Sequence, residues 1–180
     1  MSVAVGTVVE GVDAHNKVTG QSLFPGDLAR PDMLHMKILF AGQPHARMDS
    51  MNTRAARSHP GVVSVFTAAD VPVNEYGLIN ADQPVLVGPD SNKEGADIAR
   101  FVGDQLALVV AETEEAAIKA RELILVNWTD LPVVTDPYKA MKSDSPVLFE
   151  SRDSNIIKHN RIRAGDITSA WKSCEVIVES

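Results

Sequence analysis

The side chains able to do chemistry in this sequence are scattered rather than grouped at the spacings that catalysis or metal binding needs. No histidine has another histidine or a cysteine at the spacing of a metal-ligand pair. The five are His15, His35, His45, His59 and His159. The P-loop, GxGxxG, GxSxG, HExxH and CxxC patterns are also absent from the sequence. The residues alone therefore predict no catalytic, cofactor-binding or metal site.

The carboxylates also have structural interpretations. Glu112, Glu114 and Glu115 resemble a catalytic cluster, but they begin a predicted helix, where acidic residues favour the positive end of the helix dipole. Three further acidic residues each lie beside a predicted turn, where aspartate accepts hydrogen bonds from local backbone amides. These are Asp13, Asp27 and Asp70. We therefore interpret all six as structural.

Four other side chains allow a functional alternative. Cys174 has no histidine or aspartate beside it and is interpreted as a structural thiol. Trp128 and Trp171 could stack on a ligand, but their positions favour a role in the core. Lys37 follows Met36, as the modified lysine of biotin or lipoate carriers follows methionine. That pair lies within a predicted strand rather than at a hairpin tip, which disfavours the carrier function.

Composition limits the partners and the compartment. The 180 residues include 17 Lys and Arg against 24 Asp and Glu, for a net charge of -7. This balance disfavours nucleic acid as a partner, because phosphate backbones bind basic surfaces. The single cysteine fits a reducing compartment, so we expect a cytoplasmic protein. The sequence predicts neither a secretory signal nor a membrane span.

Alternation and capping residues predict the first elements. In "LHMKILF", the side chains of Leu34, Met36, Ile38 and Phe40 share one face of a predicted half-buried strand. The next stretch predicts a short helix capped by Asp49 or Ser50 and carrying Met51, Ala55 and Ala56. That helix should end at Pro60 and Gly61, before an apolar strand over residues 62–67 that we expect to be covered on both faces.

The clearest pattern is "AETEEAAIKARELILVNWTDLP". Thr113 can cap a helix that has an i,i+4 pair between Glu115 and Lys119. Its inward face should carry Ala116, Ala117, Ala120 and Leu123. A strand over residues 124–129 follows at once. The two strand-helix-strand segments predict βαβ crossovers and a mixed sheet with two packed helices.

Between these segments lies a stretch of a different kind. Residues 72–99 are rich in Gly, Pro, Asn and Asp, and only "VLV" resembles a strand, so we predict a long functional or partner-facing excursion. Gly103 and Asp104 then predict a tight hairpin turn in which the glycine has positive φ. The final "GDITSAWKSCEVIVES" predicts a helical turn and an alternating strand that stops abruptly, which suggests a piece of a longer protein.

Several segments, taken in order, resemble a known family. They are "VDAHNKVTGQSLFPGDL", "LHMKILFAGQPHARM", "HPGVVSVFTAADVP", "RFVGDQLALVVAETEEAAIKARELILVNWTDLP" and "AGDITSAWKSCEVIVE". The sequence is similar to the opening region of the molybdopterin-binding large subunit of the xanthine dehydrogenase and aldehyde oxidase family. The resemblance implies an α+β fold called the α/β hammerhead, with a mixed sheet, two packed helices and a barrel-like β element.

The resemblance also implies an organisation and a context. Residues 1–150 would form the hammerhead domain, with the first of these segments as its opening strand, and residues 151–180 would begin the following molybdopterin-binding domain. Family enzymes hydroxylate aldehydes or aromatic heterocycles at a molybdenum-molybdopterin centre and pass electrons to iron-sulfur clusters and often to FAD. The partners that the resemblance implies are the rest of the large subunit, iron-sulfur subunits and, in many family members, FAD subunits. We carry over no site residue, because the family's catalytic and pterin-binding residues lie in later regions.

Three hypotheses remain open from the sequence. The first is a scaffold and interface domain that is not catalytic by itself and binds no cofactor. The second is a free-standing module that binds a protein partner, for which residues 72–99 are the candidate surface. The third is a carrier domain modified at Lys37.

Overall fold

The computed structural model describes residues 5–178, and the regular structure in this range consists of six strands and five α-helices. The strands are β1 (His35–Phe40), β2 (Ala46–Asn52), β3 (Val62–Phe66), β4 (Ile98–Ala99), β5 (Gln105–Ala111) and β6 (Leu125–Asp130). The helices are α1 (Ala14–Val18), α2 (Arg54–Arg57), α3 (Glu114–Glu122), α4 (Pro137–Ala140) and α5 (Ile167–Ser173). Short 3-10 turns occur at Pro25–Asp27 and Ala68–Asp70.

The strands form two three-stranded antiparallel sheets. Sheet A has the order β1-β5-β3, and sheet B has the order β4-β2-β6. The α+β hammerhead class is confirmed, although the two sheets do not close into a barrel within the described part of the chain. The predicted βαβ crossovers are wrong: α2 joins β2 to β3 and α3 joins β5 to β6, so each helix carries the chain from one sheet to the other. Alternation along a strand predicts its faces but does not specify its partners.

Helices α2 and α3 pack on one face of sheet A, as predicted. The Thr113 hydroxyl accepts a hydrogen bond from the Ala116 amide at 3.1 Å and caps α3. Ala117 and Ala120 are fully buried, so the small residues let the helix approach the sheet. Leu123 was expected on this face but is exposed, because α3 ends at Glu122, and Ile124 is buried in its place.

The start of α2 differs from the prediction. Asp49 and Ser50 belong to β2, so they do not cap the helix, and Thr53 precedes its first residue. The Asn52 side chain accepts a hydrogen bond from the amide of Arg54 at 3.0 Å instead. Local composition indicated the helix correctly but placed its beginning several residues too early.

The alternation of β1 is real, but the prediction of its buried face was wrong. Leu34, Met36 and Phe40 are about half exposed, whereas Leu39 packs against both clusters of the core. Lys37 is on the Leu39 side, below α3, and its side chain is 31% exposed. Both faces of this strand are apolar enough that the sequence does not decide which of them the helix covers.

Strand β3, like β1, has one buried and one exposed face. Val65 is fully buried beneath the helices, but Val63 and Phe66 are exposed. The prediction that this strand is covered on both faces is therefore wrong for the described chain. Sheet A has one covered and one uncovered face.

The predicted excursion, residues 72–99, contains no helix, and its only named strand is the two-residue β4 at its end. The turn after it is not a hairpin, because β4 and β5 belong to different sheets. Gly103 does not have the predicted positive φ. A Cβ at this position would lie 2.4 Å from the ring of Phe101, so this exposed ring would have to move if another residue replaced the glycine. Asp104 accepts hydrogen bonds from the amides of Arg100 and Phe101 and closes the turn.

The two ends of the described chain pack little against the sheets. The segment expected to form an opening strand instead contains helix α1. Near the other end, Asp166 caps α5, but residues 174–178 form no strand, and the last two residues of that prediction lie outside the described range. Across residues 151–178 no side chain is buried. No helix of the described chain is long and apolar enough to cross a membrane.

Candidate interaction surfaces

The histidines occupy separate structural positions. His45 is buried, and its Nδ1 lies 2.6 Å from the carbonyl oxygen of Pro132, which ties the start of β2 to the residues after β6. His59 Nδ1 lies 2.9 Å from the carbonyl oxygen of Pro60 in the turn after α2. Among residues 5–178, no three His, Cys, Asp or Glu side chains are close enough together to hold a metal ion.

The acidic residues at the start of α3 have cationic partners. Glu114 lies 2.5 Å from the ammonium group of Lys37, and this hydrogen bond and charge lower the pKa of Glu114. Glu115 lies 2.6 Å from Lys119, which lowers the pKa of Glu115 and raises that of Lys119. Three other candidates also have local partners. Asp13 pairs with Lys17, and Asp27 and Asp70 accept hydrogen bonds from nearby backbone amides.

The remaining candidates are dispersed in the fold. Lys37 is in the middle of β1 and its ammonium group is paired, unlike a carrier lysine that must swing at a hairpin tip. Trp128 is partly buried and packs on the core, as predicted. Trp171 was also expected in the core, but it is half exposed on α5. Cys174 is exposed, and its thiol lies 3.2 Å from the carbonyl oxygen of Ala170.

An uncovered apolar face is the most distinctive surface of the domain. In the register of sheet A, Met36 pairs with Val110, and Ile38 pairs with Leu108, which pairs on its other side with Phe66. Because alternate side chains point to opposite faces, these residues share the face of the sheet opposite α2 and α3. With Phe40, they define what we call the outer face. Its members are Met36, Ile38, Phe40, Phe66, Leu108 and Val110.

The outer face is apolar but poorly covered. Met36 is 53% exposed, Phe40 is 50% exposed and Phe66 is 43% exposed, while Ile38, Leu108 and Val110 are partly buried. Large contiguous apolar patches on a protein surface mark interaction sites. By contrast, sheet B carries polar side chains that bond to each other. The side-chain amide of Asn127 donates a hydrogen bond to the hydroxyl of Ser50 at 2.9 Å.

Two arginines attach the segment after α4 to the sheets. Arg100 donates from Nε to the carbonyl oxygen of Leu148 at 2.7 Å, and its guanidinium lies 4.6 Å from the centre of the Phe149 ring. Partial burial desolvates this guanidinium and lowers the pKa of Arg100. Arg47 pairs with Asp97 at 2.6 Å and with Glu150 at 3.2 Å. No local pattern in the sequence marks either arginine, since each partner is distant along the chain.

A polar cleft of about 980 Å³ lies between the excursion and residues 149–152. Lys93 and Arg100 line it, but both are bonded within the domain: Lys93 to Glu75 at 3.1 Å, and Arg100 to backbone carbonyls. Asp82, Glu94 and Arg152 also line the cleft, and none of their side chains has a partner among the described residues. The cleft therefore presents unpaired charges of both signs.

A family model described as "Aldehyde oxidase and xanthine dehydrogenase, a/b hammerhead domain" matches residues 19–132. The chain belongs to this family. It is 38% identical over 168 residues to a probable xanthine dehydrogenase subunit of Bacillus subtilis. This match covers 93% of this chain and 21% of that protein. It is 31% identical over 169 residues to the nicotinate dehydrogenase large molybdopterin subunit of Eubacterium barkeri, covering 93% of this chain and 37% of that protein.

Solved structures agree with the hammerhead assignment. Quinoline 2-oxidoreductase from Pseudomonas putida 86 is similar with a TM-score of 0.71 at 28% identity, over 86% of this chain and 20% of that one. Reconstituted CO dehydrogenase from Oligotropha carboxidovorans gives a TM-score of 0.70 at 31% identity, over 81% of this chain and 18% of that one. The chain thus spans about a fifth to just over a third of the length of the relatives named here.

The described residues do not fit an iron-sulfur cluster. Such clusters are held by several cysteine thiolates, and Cys174 is the single cysteine of the sequence. We therefore assign no cofactor ligand to these residues.

Proposed function

We propose that this chain is a scaffold and interface domain of a molybdenum hydroxylase large subunit, and that it does not catalyse a reaction by itself. The family and the relatives support the context, since the Eubacterium barkeri protein is named a large molybdopterin subunit. The observation that carries the proposal is the uncovered outer face of sheet A. The full protein would belong to the hydroxylases of purines, N-heterocycles or aldehydes.

The exposure and the apolar composition of the outer face support the proposal that it is buried against the remainder of the molybdopterin-binding subunit. Met36, Phe40 and Phe66 are each about half exposed, so full burial of each would stabilise the assembly by about 1 kcal/mol. The patch contains no charged side chain, which is the composition of a permanent interface rather than a transient one. An interface of this kind would hold the domain rigidly beside a metal centre built by other residues.

We also propose a domain boundary near residue 150. Arg47 and Arg100 hold Leu148, Phe149 and Glu150 against the sheets. From residue 151 to residue 178 no side chain is buried. Residues 151–180 are therefore proposed to pack in the domain that follows, with iron-sulfur and FAD subunits as further partners.

Substitutions on the outer face test the scaffold. In the full-length large subunit, Phe40→Asp and Phe66→Asp should each reduce molybdenum content and soluble yield, because a buried carboxylate would weaken the interface. In the chain of 180 residues alone, the same substitutions should lower the melting temperature by only about 2–4 °C, because about half of each ring is already exposed there. Tyr138→Asp, on the exposed surface of α4, is the matched control. Normal molybdenum content in both outer-face variants would contradict the proposal.

The absence of catalysis is tested separately. The purified chain of 180 residues should contain no stoichiometric molybdenum by elemental analysis and should oxidise neither purine nor aldehyde. Intact mass should also match the unmodified chain, without a biotin or lipoate adduct at Lys37. Stoichiometric molybdenum in this sample would refute the scaffold role.

A further inference from the structure

The residues before β1 form a segment that we call the arm, residues 5–34. Local bonds hold its turns. The hydroxyl of Thr19 donates to the carbonyl oxygen of His15 at 2.8 Å at the end of α1. In the next turn the amide of Phe24 donates to the carboxylate of Asp27 at 2.9 Å. The helix and the turn of the arm are therefore formed by contacts within the arm.

The apolar side chains of the arm have no such partners. No side chain of residues 5–34 is buried. Val8 is 104% exposed and Val12 is 106% exposed, and Val18, Leu23 and Phe24 are exposed as well. The sheets of the domain therefore do not cover the arm.

The composition of the arm is that of a segment that packs. Twelve of its 30 residues are hydrophobic, close to the 44% of the whole chain. Segments that stay disordered contain few such residues, because they cannot bury enough apolar surface to offset the entropy of ordering. A run of exposed apolar side chains on a segment with its own turns indicates a contact surface.

The arm is continuous with the outer face of sheet A. Leu34 directly precedes β1 and continues its alternation, so it lies on the same side of the chain as Met36. Leu34 and Met36 are each about half exposed. A surface that covers the outer face would therefore reach the end of the arm as well.

Most of the polypeptide that could cover the arm lies outside this chain. The match to the Bacillus subtilis subunit covers 93% of this chain, so it includes most of the arm, but only 21% of that protein. Permanent contacts between the domains of one subunit are large and apolar. The arm and the outer face together have this character.

We propose that the arm packs, together with the outer face, against residues of the same large subunit that lie beyond residue 180. These residues would supply an apolar surface for Phe24, Val12 and their neighbours. The inference rests on the proposed function, which assigns the outer face to that subunit. A companion subunit or a second copy of the chain would be a different occupant.

Photo-crosslinking in the assembled complex tests the occupant. Benzoylphenylalanine in place of Phe24 should crosslink to a peptide beyond residue 180 of the same polypeptide. The same amino acid in place of Tyr138, on the exposed surface of α4, is the matched control and should not crosslink to that peptide. A crosslink from position 24 to a companion subunit would overturn the proposal. So would a crosslink between isotope-labelled and unlabelled copies, or no crosslink at all.

Trypsin gives a second readout. The side chain of Lys17 is 55% exposed, so cleavage after Lys17 should be fast in the chain of 180 residues. In the full-length large subunit it should be slower by roughly 10-fold or more, while cleavage after Lys139 on α4 keeps its rate. Equal rates after Lys17 in the two proteins would overturn the arm proposal. If the outer face is nevertheless protected in the full-length subunit, the scaffold role stands without the arm.

Discussion

The ammonium group of Lys37 in β1 lies 2.5 Å from a carboxylate oxygen of Glu114, the first residue of α3. This ion pair joins the edge strand of sheet A to the helix that covers it. Lys37 lies on the same side of β1 as Leu39, which packs against both core clusters. The apolar Met36 side forms the outer face.

The Lys37 pair should make stability depend on pH. Because Lys37 lowers the pKa of Glu114 below its ordinary value of 4.5, the pair stabilises the fold above that pH and stops doing so as pH falls through the lowered pKa. Lys37→Met should therefore lower the melting temperature relative to wild type at pH 7, and the difference should narrow at pH 3.5. Lys139→Met, without an ion pair, is the control. A pH-independent difference would rule out this role for the pair.

Asn74 should be required for the shape of the excursion. Asn74→Leu leaves the buried amide and carbonyl groups of Leu86 without partners, which should lower the free energy of unfolding by about 3 kcal/mol. Urea denaturation measures this change, and trypsin should also cleave faster after Lys93. Asn80→Ala, at an exposed position of the same excursion, should have little effect on either measurement. Equal free energies of unfolding for Asn74→Leu and Asn80→Ala would contradict this role of Asn74.

Arg100 should fix the proposed domain boundary. Arg100→Met keeps the apolar stem but removes the donors to the carbonyl oxygens of Leu148, Gly95 and Ile98. We expect a loss of about 2 kcal/mol in the free energy of unfolding. Chymotrypsin should also cleave faster after Phe149.

The control for the boundary prediction is Arg161→Met. Arg161 is exposed and has no partner among the described residues, so this variant should behave as the wild type does. If Phe149 is cleaved at the wild-type rate in Arg100→Met, another contact must hold this segment.

Local features of the fold could be predicted from the sequence, and long-range ones could not. The cap at Thr113, the pair between Glu115 and Lys119 and the burial of Ala117 all depend on residues within a few positions of each other. Which face of β1 lies below α3 depends on contacts with distant elements: Leu39 packs against both core clusters, and Glu114 is 77 positions from Lys37. When both faces of a strand carry apolar residues, the sequence does not predict which face is buried.

The contacts that shape the candidate surfaces could not be predicted from the sequence either. The excursion over residues 72–99 was evident from its composition, but the bonds of Asn74 to Leu86 that make it rigid were not. The contact between Arg100 and Leu148 spans 48 positions and has no local pattern. The family resemblance supplied the fold class that the residues alone left open.

Methionine oxidation tests the central claim most directly. Met36 on the outer face is 53% exposed in this chain and Met141 on the surface beside α4 is 54% exposed, so a mild oxidant should modify both at similar rates in the chain of 180 residues. In the full-length large subunit, mass spectrometry of the oxidised peptides should show Met36 strongly protected relative to its rate in the shorter chain. Oxidation of Met36 at the same rate in both proteins would contradict burial of the outer face.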